Sequence, residues 1–303
     1  MSRVIPKPLR LAHFSDIHIS ANPLGWRRRD YFTKRYAGWV NFRWLGRRHR
    51  FRSADEVLAA LVAELQLRRP DHLIFSGDAT ALGFEAEFAR ASAILGMKEA
   101  HLLPGIAVPG NHDYYTHEVA ASGLFETHFD AWQQGERVDG HRYPFAQRVG
   151  PVWLVGVNSS TANQWTWDAS GGVGKDQLSR LESLLAKLSP GPRILVTHYP
   201  LCLANGNAER RSHGLRDLKE VVAVAAKGGV CLWLHGHRHH AYHHKTSQFA
   251  PFPVICAGSA TQSGLWSYNE YHLEGNQLNA VRRAFDAVNK RFEEQEAFSL
   301  TLP

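Results

Sequence analysis

A chain of 303 residues with 44% hydrophobic composition can bury a full core without covalent staples, which excludes a disordered or disulfide-dependent class. Its three cysteines, Cys202, Cys231 and Cys256, lack any C-x-x-C spacing, so neither a disulfide framework nor a thiolate zinc site is expected and a reducing compartment fits best. The net charge is +7, yet residues 27–52 carry ten Arg or Lys against one acid, Asp30; that window is +9 and the remainder −2, so a general polyanion-binding surface is not implied.

The N-terminal residues lack the apolar core of a signal peptide, and no run approaches the roughly 18 apolar residues of a membrane span. A cytoplasmic location is expected. The first apolar run, LRLAHFSD at 9–16, reads as a buried strand ending in Asp16-x-His18. Residues 21–52 then form a basic, aromatic-rich insertion longer than an ordinary strand-to-helix loop. Within it Phe32, Tyr36, Trp39 and Val40 fall at i, i+4, i+7 and i+8, which predicts one packing face of a short helix with Lys34, Arg35 and Arg43 extending past it.

Residues 53–68 open with a Ser cap and an acidic first turn and read as a helix, as do 84–97, 176–188 and 215–227. Between them HLIFSGD (72–78), GIAVPGNHD (105–113), PVWLVGVNSS (151–160), RILVTHYP (193–200) and VCLWLHGH (230–237) read as buried strands. GGVGKDQL before the third helix lacks the spacing of a Walker loop and reads as a turn into that helix. After residue 235 the segments 239–247, 253–259, 267–274 and 277–285, with a Gly275-Asn276 turn, suggest consecutive antiparallel strands. Strand and helix alternating up to that point predict an α/β fold, and with no linker or repeat in the chain one domain over 1–303 is expected.

The strand endings share a composition: Asp16 and His18, then Asp78, then Asn111, His112 and Asp113, then His198, then His237 and His239. Ligands collect beyond the carboxyl ends of strands in open α/β sheets. Carboxylate, imidazole and amide oxygen suit borderline divalent metals. Any one of these endings would be an ordinary polar turn; five in succession call for a metal.

The ordered set D-x-H, G-D, G-N-H-D, H and G-H-x-H resembles the calcineurin-like metallophosphoesterase superfamily. The resemblance implies a four-layer αββα sandwich of two mixed β-sheets and two adjacent divalent metal ions. By position, Asp16, His18 and His239 would hold the first metal, Asn111, His198 and His237 the second, and Asp78 would bridge them. His112 would face substrate, with Asp113 orienting it. The ligands leave the identity open among Mn, Fe and Zn. Two such metals can share a water, acidify it and aim it in line at phosphorus. His235, His240, His243 and His244 are expected outside the ligand set.

Reaction class lies in the metal motifs and substrate in the rim loops. The order Lys34, Arg35, Gly38, Asn41 is similar to bacterial metallophosphoesterases grouped with cyclic-nucleotide phosphodiesterases, which implies a phosphodiester or pyrophosphate substrate, whether a small molecule or a lipid. Other relatives in the superfamily cleave UDP-diacylglucosamine. Lys34, Arg35 and Asn41 are expected at the substrate, and the loop of Arg211, His213 and Arg216 as a phosphate contact. The insertion either contacts substrate, touches the inner membrane peripherally or only packs on the body. Nucleic acid is not expected as partner, because the chain outside 27–52 is net acidic. A non-catalytic scaffold would be expected to have lost ligands.

Overall fold

The computed structural model describes residues 8–303. In chain order the strands are β1 (Leu9–Phe14), β2 (His72–Phe75), β3 (Gly105–Ala107), β4 (Glu136–Arg137), β5 (Phe145–Val149), β6 (Val152–Gly156), β7 (Arg193–Val196), β8 (Val230–His235), β9 (Tyr242–His244), β10 (Val254–Cys256), β11 (Ser267–Glu274), β12 (Gln277–Asp286) and β13 (Arg291–Thr301). The α-helices are α1 (Lys34–Trp44), α2 (Arg47–Arg50), α3 (Ala54–Arg68), α4 (Glu85–Ile94), α5 (His117–Ser122), α6 (Leu124–His128), α7 (Lys175–Lys187) and α8 (Leu218–Lys227).

Two mixed sheets stack face to face. One has the order β13-β12-β11-β1-β2-β3 and the other β4-β5-β6-β7-β8-β10-β9. Side chains alternate across β1: Leu11 enters the apolar layer between the sheets beside Ile194 and Leu232, while Ala12 and Phe14 point outward to Val57 and Leu61 of α3 and Phe88 of α4. On the far side Trp153, Leu195 and Trp233 meet Leu181 and Leu185 of α7 and Val221 of α8. The result is a four-layer αββα sandwich, and both faces of each central strand are buried, which is why those strands read as continuous apolar runs.

The C-terminal part departs from a simple antiparallel series. β11, β12 and β13 are antiparallel neighbours, but β10 runs parallel to β8 and antiparallel to β9. The chain therefore leaves the second sheet after Cys256 and returns to the first as β11. β13 carries no apolar alternation to betray it, because most of its length is exposed at the sheet edge and only Phe292 and Leu300 are buried.

The insertion folds into α1 and α2, a cap over the loop between β2 and α4. Its packing face differs from the aromatic stripe expected: Arg35, Gly38 and Phe42 are the buried positions of α1, while Phe32 is 91% and Tyr36 45% exposed. The cause is charge pairing. Arg35 donates to Asp30 at 2.6 Å and to Leu82 O at 3.2 Å, also reaches Gly83 O, and lies over the Phe84 ring. Gly38 is small of necessity, since a Cβ there would stand 2.0 Å from the Tyr115 hydroxyl. Arg35→Met leaves the Asp30 carboxylate buried without its cation, and is expected to cost about 3–5 kcal/mol in urea unfolding. Unchanged unfolding would show that the cap is not anchored there.

Glu87 holds the same loop from below, accepting from the N–H groups of Leu82 at 2.9 Å and Phe84 at 3.1 Å. Burial pushes its carboxyl up to about 7 against those donors. The folded state thus binds this proton more tightly than the unfolded chain. The contribution is full below the ordinary carboxylate range and is lost as pH rises through about 7. Stability should fall between pH 5 and pH 8, by on the order of 3 kcal/mol from this group. Thermal melts of Glu87→Gln should show a flatter pH dependence than the parent; an equal slope would rule the group out.

Candidate metal centre

Five parallel strand ends, β1, β2 and β3 of one sheet and β7 and β8 of the other, converge at one edge of the sandwich. Pairing continues past the strands: Asp16 N–H donates to Gly77 O at 2.9 Å and His18 N–H to Asp78 O at 3.0 Å. Among the described residues, eight non-glycine residues have positive φ, and five are Asp16, His18, Asp78, His237 and His239. Left-handed backbone costs each on the order of 1–2 kcal/mol, and its concentration here marks a functional site. Gly110 lets β2 and β3 ends close together, since a Cβ would fall 2.1 Å from Asp78 Oδ1.

The side chains form two groups. In the first, His239 Nε2 lies 3.3 Å and His18 Nε2 3.8 Å from Asp16 Oδ1, and the two nitrogens stand 3.1 Å apart. In the second, Asn111 Oδ1 lies 3.1 Å from His198 Nε2 and 2.9 Å from His237 Nδ1. Asp78 Oδ2 stands between them, 3.5 Å from His18 Nε2 and 3.4 Å from His198 Nε2.

The outer nitrogen of every imidazole is already engaged. His18 Nδ1 meets Thr80 O, His198 Nδ1 meets Ser76 O, His237 Nε2 meets His213 O and His239 Nδ1 meets the Gln262 side-chain oxygen. Each acceptor holds a proton on the outer nitrogen, which leaves the inner nitrogens of all four rings aimed at the same space. Asp16 Oδ1 is buried with no hydrogen-bond partner. Buried polar atoms crowded together in this way are costly unless something binds them, and a pair of cations would satisfy them at once.

Against burial, Asp78 pushes His198 up to about 9 and Asp16 raises His239, so cations entering here would displace protons from those two rings. Burial raises the Asp16 carboxyl, but the facing His18 and His239 rings outweigh it and hold the group well below its usual range. Asp78 is likewise held low against burial by His198 and His112. Burial pushes His237 down to about 3, which keeps it neutral and able to ligate.

His112 stands beside the first group, its ring 4.8 Å from that of His18. Its Nδ1 donates to Ala81 O at 2.7 Å, and its Nε2 faces the cleft 2.9 Å from Arg47 Nη2. Asp113 does not touch that ring. Its carboxylate accepts from the N–H groups of Gly110, Ala79 and Thr80 and from the Thr80 hydroxyl, so it staples the turn that carries His112 to the loop after β2. Any orienting effect passes through Thr80, whose hydroxyl also lies 2.9 Å from His112 O.

Over the centre lies a cleft of about 600 Å³, walled by Lys34, Asn41 and Arg47 on the cap side and by Trp167 and His213 opposite. Lys34 sits over the Tyr115 ring, and burial lowers its pKa to about 8. Three residues expected at substrate do not wall the cleft. Arg35 is buried in the cap anchor. Arg211 is exposed and outside the cleft wall. Arg216 ties the facing loop together through Ser170 and Thr161. His213 reaches the site chiefly through the backbone oxygen that orients His237. His235 bonds Gly236 O, His243 stacks on Phe298, His244 bonds Leu203 O and His240 is exposed, so none of the four enters the cluster. Asp217 grips the N–H groups of Val173 and Gly174, which makes the glycine-rich segment a turn into α7. Arg47 and Gln262 were not anticipated; Arg47 is one cation among ten in its run, and Gln262 follows no motif.

Residues 9–241 match the family described as calcineurin-like phosphoesterase. A curated relative, a probable cyclic nucleotide phosphodiesterase of Rhodococcus erythropolis (strain PR4 / NBRC 100887), is 28% identical over 207 residues, covering 67% of this chain and 61% of that protein. This chain thus spans about three fifths of that relative's length. Among solved structures, a dimetal phosphatase from Danio rerio superposes with a TM-score of 0.65 at 14% identity, covering 98% of this chain and 100% of that one. A purple acid phosphatase from yellow lupin (Lupinus luteus) seeds gives 0.59 at 13% identity, covering 97% of this chain and 54% of that one. These two share the fold. All five ligand-bearing strand ends fall inside the matched stretch, and on that match the chain belongs to the calcineurin-like phosphoesterase family.

Proposed function

We propose that this chain is a metal-dependent hydrolase of phosphodiester bonds, cyclic nucleotides being the first class to try. The observation that carries the reading is the pairing of two ligand groups across Asp78, with every imidazole's outer nitrogen tied to an oxygen and its inner one free. Asp16, His18 and His239 would hold one divalent ion, Asn111, His198 and His237 the other, and Asp78 both; Mn, Fe and Zn all suit this donor set. When bound, such a pair acidifies a water and neutralises charge on phosphoryl oxygens.

The chain's own residues supply the rest. His112 presents Nε2 to the cleft; burial and Arg47 hold the ring well below its usual pKa and Nε2 accepts from Arg47, so Nε2 would take up a proton only beside a bound phosphoryl group's negative charge and could then donate it to a phosphoryl or leaving oxygen. Lys34, Asn41 and Arg47 line the wall where an ester's two arms would lie, and the cleft's size accommodates both. The name of the curated relative supports a diester. The test is turnover under Mn²⁺ of cyclic AMP, bis-p-nitrophenyl phosphate, p-nitrophenyl phosphate, single-stranded DNA and UDP-diacylglucosamine, with chelator controls. Diester turnover above monoester and abolished by chelation is expected; preference for the monoester, or for the lipid pyrophosphate, would overturn it.

A further inference from the structure

Nine large hydrophobic side chains are exposed among the described residues; five lie between Tyr31 and Leu45, and two more are Trp165 and Trp167. One member of each set, Leu45 and Trp167, walls the cleft that contains Asp78. Trp44 and Leu45, 72% and 73% exposed, project from the C-terminal tip of α1 and are followed at once by Gly46 and the basic turn of α2. Charge is gathered on the same element. Arg27 and Arg29 are paired with Glu118, and Arg35 with Asp30, but among the described residues Arg28, Arg43, Arg48 and Arg50 are exposed with no carboxylate within 4.0 Å.

Exposed Trp and Leu in one short segment with unpaired arginines match the boundary between acyl chains and anionic headgroups. A single-stranded nucleic acid needs open stacking platforms along a groove. Here four of the cap's aromatics are stacked in pairs, Trp26 on Tyr31 and Tyr36 on Trp39, and an aliphatic Leu45 holds the tip. The acidic balance outside residues 27–52 leaves no track for a longer polyanion.

We infer that this face docks on an anionic lipid bilayer, with Trp44, Leu45, Trp165 and Trp167 entering the interface and Arg43, Arg48 and Arg50 against the headgroups. The cleft then opens onto the membrane surface. The inference stands apart from the hydrolytic reading, since binding is measured without turnover.

The experiment is co-sedimentation of the full chain with vesicles of phosphatidylcholine alone or carrying phosphatidylglycerol, at low and high salt. Binding to the anionic vesicles only, weakened by salt, is expected. Trp44→Ser/Trp165→Ser and, separately, Arg43→Glu/Arg48→Glu should each weaken it about tenfold or more. Circular dichroism and turnover of soluble bis-p-nitrophenyl phosphate should be unchanged in both, which separates loss of docking from loss of fold or of activity. Absence of sedimentation, equal binding to neutral vesicles, binding unaffected by the Trp substitutions, or tighter retention on a single-stranded oligonucleotide would each overturn the inference.

Discussion

Asp78→Asn is expected to leave the purified protein without bound metal and to reduce hydrolysis of bis-p-nitrophenyl phosphate by about 10³-fold or more, the several kcal/mol of charge stabilisation a metal supplies. Asp78 divides its two oxygens between tasks. Oδ1 accepts the His112 backbone N–H at 2.7 Å, and Oδ2 faces the nitrogens of His18 and His198 at 3.5 and 3.4 Å. An amide cannot serve both. With its oxygen toward His112, its NH₂ points at the cations' positions; turned over, the NH₂ meets the backbone N–H instead. One of the site's two buried carboxylates facing the imidazoles is also lost, leaving mostly neutral donors for the positive charge. Elemental analysis of the variant checks this directly, and retention of the parent's metal content would remove Asp78 as the shared ligand.

The positions of the chemistry were legible because each candidate ligand ends an apolar run, and apolar runs mark buried strands whatever their partners. Which sheet each strand joins was not legible. β1, β2 and β3 lead to four of the seven candidate ligands and β7 and β8 to three, yet all five read alike, since strands buried on both faces lose the alternation that would show an orientation. The cap misled for a physical reason. Its aromatics repeat at helical spacing, but Trp26, Tyr31, Tyr36 and Trp39 stack among themselves, and the helix is seated instead by Arg35 on an acid five residues earlier. A buried ion pair has no periodicity to read. Asp113 shows the same gap at finer grain: a carboxylate next to a functional histidine reads as its partner, whereas here it collects N–H donors from another loop. Arg47, the side chain nearest the free nitrogen of His112, lay hidden in a run of like charges.

His112→Ala is expected to keep the parent's metal content while losing about 10²-fold or more in turnover, the usual worth of a positioned proton donor. The geometry separates His112 from the ligands. Its ring meets a backbone oxygen, Ala81 O, through Nδ1, as those of His18 and His198 do, but its Nε2 turns to Arg47 and the cleft rather than to Asp78. It does stand close enough to His18 and Asp78 to be mistaken for a ligand, its ligating atom falling within 4.8 Å of theirs. Metal content therefore distinguishes the two roles, and loss of one ion in the variant would make His112 a ligand. The leaving group distinguishes the kind of proton transfer. A p-nitrophenolate departs without a proton, whereas an alkoxide needs one, so the deficit should be larger for an alkyl diester such as cyclic AMP than for bis-p-nitrophenyl phosphate. An equal deficit on both would assign His112 to stabilising phosphoryl oxygens, with Arg47 beside it as the second cation for the same charge.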